Sequence, residues 1–224
     1  RIVRQVSMDD IITANPDLDI LGVRRVDRLK DHGPTSNTRN TPGVWLTDPF
    51  HINDVDPLPA AIAAAFPLFE TGDLLVSART PNMVMVVDPD TAEVKWWRMG
   101  MVRRQHDPDW MPTGEFLVYD NRTGQDASRI VAIDPADFSL RVELDGRQTG
   151  FFSRIRGKQQ RRPDGTLVVT SSQQGHAFET GPDVGVNFEL VNAKPGSSDK
   201  NYAVSEMQWF PPDRLDPAGW ACSR

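Results

Sequence analysis

Four histidines, His32, His51, His106 and His176, are the side chains in this chain best suited to moving a proton or a group near neutral pH. Two of them sit in matching contexts. Laying Asn53-Asp54 over His106-Asp107 aligns two strand starts that each end near a proline, with His51 two residues ahead of Asn53. An imidazole there can act as general base, general acid or nucleophile, and an adjacent carboxylate can orient its ring. A two-residue spacing on a strand puts His51 on the face of Asn53, so His51 and His106 are expected to point into one channel. The competing reading for each is a hydrogen-bonded residue at a strand end. His32 falls in the polar stretch 30–39 and is expected to be solvent-exposed. His176 opens a strand and is expected to face a rim or a neighbour.

Cations gather around a third equivalent strand: Arg154, Arg156, Lys158, Arg161 and Arg162. Strand alternation would aim Arg154, Arg156 and Lys158 to one side, where they could hold a sulfuryl or phosphoryl group through charge-assisted hydrogen bonds. The alternative is a solvated edge. Arg122, in a polar insertion expected to return towards the channel mouth, and Asn53 complete the candidate binding set. Asp54, Asp56, Asp107 and Asp109 could join the two histidines around a metal, yet His-Glu-x-x-His and paired Cys-x-x-Cys spacings are absent, and no metal or cofactor is expected. The chain also lacks a phosphate-cradling Gly-x-x-x-x-Gly-Lys loop and a Gly-x-Ser-x-Gly elbow, which takes support from nucleotide-dependent and serine-hydrolase chemistry.

The elements that must position these residues repeat. Thr71-Gly72-Asp73-Leu74-Leu75-Val76, Thr113-Gly114-Glu115-Phe116-Leu117-Val118 and Asp164-Gly165-Thr166-Leu167-Val168-Val169 each spell a turn, a glycine and an apolar strand. A second strand follows each time, closing on Asp88-Pro89, Asp134-Pro135 and Gly181-Pro182, where proline fixes φ and Asp bonds nearby backbone. A third strand begins at Val94, Leu140 and Val186, and a fourth precedes each glycine, over 53–59, 106–112 and 157–163. Met207-Gln208-Trp209-Phe210-Pro211 resembles another copy of that preceding strand. Four antiparallel strands recurring every roughly 40–50 residues predict an all-β fold, a β-propeller of four-stranded blades, with a β-sandwich as the alternative. The expected division is a blade end and connecting segment over 1–50, blades over 51–100, 101–145 and 150–192, and the first strand of a partial blade over 202–211. Residues 1–6 are expected to be the last strand of a blade, and Ser7-Met8-Asp9-Asp10 a capping box opening a short helix. Residues 60–65 are expected to form an alanine-rich helical insertion, and 121–128 a polar one.

At 224 residues the chain suits one all-β domain. Its net charge of −6, from 25 Lys and Arg against 31 Asp and Glu, disfavours non-specific attraction to nucleic acid or an anionic membrane. No apolar run is long enough to span a bilayer. The single cysteine, Cys222, excludes an internal disulfide and leaves the compartment open. A start at Arg1 rather than Met is consistent with trimming, and blades missing from the ring are expected from outside these residues, through a homo-oligomer or a second polypeptide.

Several segments taken in order resemble the arylsulfotransferase family of β-propellers: Pro49-Phe50-His51-Ile52-Asn53-Asp54-Val55, Gly72-Asp73-Leu74-Leu75-Val76-Ser77-Ala78-Arg79, Trp97-Arg98-Met99-Gly100, Gln105-His106-Asp107-Pro108-Asp109, Val118-Tyr119-Asp120-Asn121, Ser128-Arg129-Ile130-Val131 and Ile155-Arg156-Gly157-Lys158-Gln159-Gln160-Arg161. The resemblance implies transfer of a sulfuryl group from a phenolic sulfate ester to a phenol, without a nucleotide donor, through a sulfated channel histidine, in a protein that is typically exported. It matches His51 and His106 to two channel histidines and places Arg122 near a sulfate-binding arginine. It also implies a further histidine where this chain reads Gly157-Lys158-Gln159-Gln160, and an amide cannot replace imidazole as a nucleophile. On this basis His106 is expected to be nucleophile or general base, His51 to assist proton transfer, and Arg122, Arg156 and Lys158 to hold the sulfuryl oxygens. The alternative is an inactive propeller serving as a binding or assembly module, with Trp209 and Trp220 available to dock a partner.

Overall fold

Apolar residues run almost without a break through the central strands of each repeat, so each of those strands must be covered on both faces. The computed structural model, which describes residues 4–18, 25–26, 44–45, 48–181, 183, 185–198 and 200–214, meets that demand by stacking three antiparallel four-stranded sheets. A two-residue pair, β1 (Arg25–Val26) with β2 (Val44–Trp45), lies outside them. The first sheet is β3 (Ile52–Pro57), β4 (Leu74–Ala78), β5 (Met83–Val87) and β6 (Val94–Met99). The second is β7 (His106–Trp110), β8 (Phe116–Asp120), β9 (Arg129–Ile133) and β10 (Leu140–Asp145). The third is β11 (Lys158–Arg161), β12 (Leu167–Ser171), β13 (His176–Thr180) and β14 (Val186–Val191). Each sheet is a simple meander in chain order, one per repeat. The recurring turn glycine enters each β4-type strand at positive φ, +94° at Gly72, +87° at Gly114 and +86° at Gly165, a conformation other residues adopt only at a steric cost.

Alternation along the strands divides the core. Leu75, Val84, Val86 and Trp96 of the first sheet pack against Trp110, Phe116, Val118, Val131 and Ile133 of the second. Leu117, Tyr119, Ile130 and Leu144 use the opposite face of the second sheet to meet Leu167, Val169 and Phe178 of the third. Phe66 and Phe69 wedge into the first interface, Phe66 edge-on to Trp110 at 4.8 Å between ring centroids. The outer face of the first sheet is covered by α1 (Met8–Ala14), whose Ile11 is buried against Val76, Met85 and Val87. Ser7 caps this helix by accepting from Asp10 N–H at 3.1 Å while Asp10 accepts from Ser7 N–H at 2.8 Å, the reciprocal box its sequence predicts. A second short helix, α2 (Gly146–Thr149), follows β10.

Three expectations about connecting segments differ from the structure. Residues 4–7 are irregular rather than a strand, residues 1–3 being outside the described set; Val6 packs beside α1 instead of pairing. Residues 60–65 make a turn and a single 3-10 turn at Ala63–Ala65, too short for the alanine propensity to nucleate an α-helix. Met207 to Pro211 is not a strand. It is tied to the third sheet by side chains, Met207 N–H donating to Thr170 Oγ1 at 2.9 Å and Trp209 N–H to Gln160 Oε1 at 2.8 Å, so its backbone has partners without a ladder. His32, Trp220 and Cys222, and the stretch 30–39, lie outside the described residues. No helix among the described residues is long and apolar enough to cross a membrane.

Candidate functional site

The first strands of the three sheets, β3, β7 and β11, approach one another, and their starts carry the chemistry. Buried Gln105 staples the entry of β7 onto the β4–β5 hairpin: its side-chain Nε2 donates to Ser77 Oγ (3.1 Å), Ala78 O (3.2 Å) and Met83 O (2.8 Å), while its backbone carbonyl accepts from Asn53 Nδ2 at 2.8 Å. Asn53 therefore works between sheets. The register of β3 shifts between Ile52 and Asp54, and that of β7 between His106 and Asp109, so both of these first strands carry a bulge at equivalent places. The bulges break the alternation that put His51 on the face of Asn53. His51 instead precedes the strand at φ 50°.

His51 is held by Asp48. The backbone N–H of His51 donates to Asp48 Oδ1 at 3.0 Å, and its ring Nδ1 makes a short contact with Asp48 Oδ2. Ring Nε2 has no partner among the described residues, and the side chain is 41% exposed. The hydrogen bond from His51 holds the Asp48 carboxyl below its ordinary range.

His106 is placed differently. Its Nδ1–H donates to Asn121 Oδ1 at 2.8 Å and to the Arg104 carbonyl at 3.1 Å, two acceptors that require the proton on that nitrogen. Nε2 accepts from the Arg156 backbone N–H at 3.2 Å. Both ring nitrogens are thus engaged in the neutral ring. Burial is the main reason its pKa falls from 6.5 to about 4, with the positive charge of Arg79 and the proximity of His51 adding to it. Asn121 Nδ2 also donates to Ser153 O at 2.8 Å, so Asn121 and His106 together pin the 153–156 segment to the second sheet.

Arg79, Arg104 and Arg156 meet the two histidines through their backbones. Arg79 N–H donates to His51 O at 3.1 Å, and Arg122 N–H to Arg103 O at 3.0 Å, which brings the 121–128 insertion against the entry of β7. Among the described residues neither Arg79, Arg104, Arg122 nor Arg156 forms an ion pair. Arg156 contributes its backbone to His106, and it lies before β11 at φ 62°, where strand alternation does not operate. Of eight non-glycine residues at positive φ among those described, His51, Asn82, Arg104, Asp107, Arg122 and Arg156 belong to this region. Such strain persists where surrounding bonds over-determine the backbone.

One residue further along, the charges are paired. Lys158 Nζ makes a short hydrogen bond to Asp107 Oδ1 and lies 3.5 Å from Asp54 Oδ1. Asp107 Oδ2 accepts from Gln159 N–H at 2.7 Å, and Gln159 Nε2 donates to Asp109 Oδ2 at 3.1 Å. Burial raises Asp107 to about 6 against the pull of Lys158, and raises Asp109 well above the usual carboxylate range, with the charge of Asp107 next in importance. A cleft of about 180 Å³ beside these groups is also lined by Glu206 and Met207. The expected cationic side of Arg154, Arg156 and Lys158 is therefore divided, with the lysine committed to carboxylates. No group of three or more His, Cys, Asp or Glu arranged to hold a metal occurs among the described residues. His176 contacts Glu189 of the neighbouring strand at 2.8 Å.

Sequence reasoning missed Asp48, Arg79 and Arg104. The spacing of Asp48 and His51, three residues apart, was the available signal for the first; the arginines had none, because what distinguishes them is the lack of a partner.

A family model described as arylsulfotransferase (ASST) matches residues 1–193. No curated protein matches the chain. Among solved structures, a protein of unknown function from Bacteroides caccae is similar at 14% identity and a TM-score of 0.41, over 66% of this chain and 49% of that one. The chain thus spans about half the length of that solved relative.

Proposed function

Because the chain belongs to the arylsulfotransferase family, we propose that it moves a sulfuryl group from a phenolic sulfate ester to a phenolic acceptor at the cluster around His51 and His106. In this reading the three sheets are successive blades of a propeller, with β3, β7 and β11 innermost. The bonds of Asn53 to Gln105 and of Lys158 to Asp54 and Asp107 support that arrangement, since each joins the inner strands of two sheets.

The observation that carries the reading is the state of His51: Nδ1 oriented by Asp48, Nε2 without a partner among the described residues, and the Arg79 backbone bonded to its carbonyl. Nε2 attacks the ester sulfur, the bond from sulfur to the aryl oxygen breaks, and the phenolate departs. The acceptor phenol then attacks the sulfur, its proton passing to solvent, and the pair of electrons returns to Nε2. Asp48 stabilises the positive ring that exists between the two steps, and Arg122 and Arg156 supply positive potential where charge develops on the transferring group. His106, with both nitrogens engaged, positions the 153–156 segment, and Lys158 and Asn53 act below the reacting group as supports between blades.

Release of phenol from a nitrophenyl sulfate in the presence of a second phenol tests this. His51→Ala is expected to lower the rate by about 10³-fold or more with the fold intact. No release by the wild-type protein, or a variant as fast as wild type, would overturn it. A second reading, a propeller that binds without transferring, is favoured by the engagement of Lys158 with Asp54 and Asp107 on the strand where the family resemblance implies a histidine; the same assay separates the two.

A further inference from the structure

The cleft of about 180 Å³ beside β11 gathers more negative charge than its one cation can balance. Asp107, Asp109 and Glu206 line it together with Lys158. Lys158 also reaches Asp54, and Asp56, two residues further along β3, lies on the Asp54 face of that strand. The lysine is thus committed to Asp54 and Asp107, while Asp109 and Glu206 form no ion pair among the described residues. Their partners are neutral amides: Gln159 Nε2 donates to Asp109 Oδ2 at 3.1 Å, and Gln208 Nε2 to Glu206 Oε1 at 2.7 Å.

A second, independent observation marks what the cleft lacks. Gln159 lines it and is 5% exposed, yet its Oε1 is buried without a donor. Turning the amide over does not help, because Nε2 is already held by three acceptors, Asp107 O, Asp109 Oδ2 and Leu117 O. A buried carbonyl in that state costs stability until a donor reaches it. The surplus of carboxylate and the unmet acceptor call for one thing, a cation that carries N–H groups. A protonated primary amine has three such donors, matching Asp109, Glu206 and Gln159 Oε1 in number. We infer that this cleft binds a small organic ammonium ion, its charge set against Asp109 and Glu206 and one N–H donated to Gln159 Oε1. Asp109 is raised well above the usual carboxylate range by burial and then by the charges of Asp107, Asp56 and Asp54, a repulsion that a bound cation relieves. The site uses neither His51 nor Asp48 and stands apart from the transfer reading.

Calorimetric titration with ethylammonium, sodium and tetramethylammonium chlorides at matched ionic strength separates charge from hydrogen bonding, since tetramethylammonium carries the charge but no N–H. Ethylammonium binds at least about tenfold more tightly than either of the others. Asp109→Asn and Glu206→Gln each weaken it about tenfold, and Asp126→Asn, at an exposed carboxylate, leaves it unchanged. Circular dichroism checks folding. Glu206 is exposed, so should Asp109→Asn unfold, Glu206→Gln decides. Absence of ethylammonium binding, equal binding of the three cations, or unchanged affinity in either folded variant overturns the inference.

Discussion

Among the described residues Arg79 and Arg104 form no ion pair near the starts of β3 and β7, whereas Lys158, on β11, is shared between Asp54 and Asp107. The two regions are linked through His106 and Asp107, adjacent residues of β7. In the lower region every contact joins one sheet to another, and the cost of burying charge is offset by pairing and by hydrogen bonds from Gln159. In the upper region charge is left unpaired among the described residues, and five residues, His51, Asn82, Arg104, Arg122 and Arg156, hold positive φ. Charge alone does not separate the two regions; pairing does, because the paired cluster ties one sheet to another while the unpaired arginines leave their positive potential uncompensated.

The largest effect is expected from breaking the paired cluster. Asp107→Ala strips Lys158 and the Gln159 backbone of their acceptor and should cost about 3–5 kcal/mol in urea unfolding; a cost below about 1 kcal/mol would mean that the cluster does not fasten the sheets. Next comes pH, which acts on the two regions in opposite directions. The pKa of His106 is depressed to about 4, so the stability it contributes is present above 6.5 and lost as pH falls towards 4. That of Asp107 is raised to about 6, so its contribution is present below 3.8 and lost as pH rises through 6. His106→Gln should therefore leave Asp107 unopposed and, relative to wild type, gain on the order of 2–3 kcal/mol between neutral pH and pH near 4. Denaturation midpoints at both ends of that range read the sign.

A smaller change follows from loosening the upper region. Asp48→Asn should lower kcat for aryl sulfate by roughly 10²-fold with KM and unfolding midpoint unchanged, because it frees the ring of His51 without touching the sheets; a parallel loss of stability would make Asp48 a structural residue. The smallest is Arg122→Ala. With no ion pair among the described residues to lose, it should alter stability by less than about 0.5 kcal/mol, and a larger loss would blur the contrast.

The sheets were legible because each repeat is local. The turn glycine, the apolar run and the Asp-Pro closure lie within a few residues of one another, and the capping box at Ser7 and Asp10 is a contact across three positions. Overlaying the repeats sets Asn53-Asp54 on His106-Asp107 and so brings His51 near a matching strand start, but the geometry at those starts was not legible. Bulges in β3 and β7 defeat the period of two, and nothing in the composition of 154–158 tells that Lys158 turns to carboxylates while Arg156 offers its backbone.

By itself the chain's order of residues determined three four-stranded sheets, a capped first helix and membership of a family, because hydrogen-bonded meanders and turns depend on near neighbours. Tertiary structure decided which charges meet: Lys158 and Asp54 are 104 positions apart, and His106 and Arg156 are 50. Whether a buried charge is paired or waiting depends on how neighbouring sheets pack, and that packing sums over many distant side chains at once.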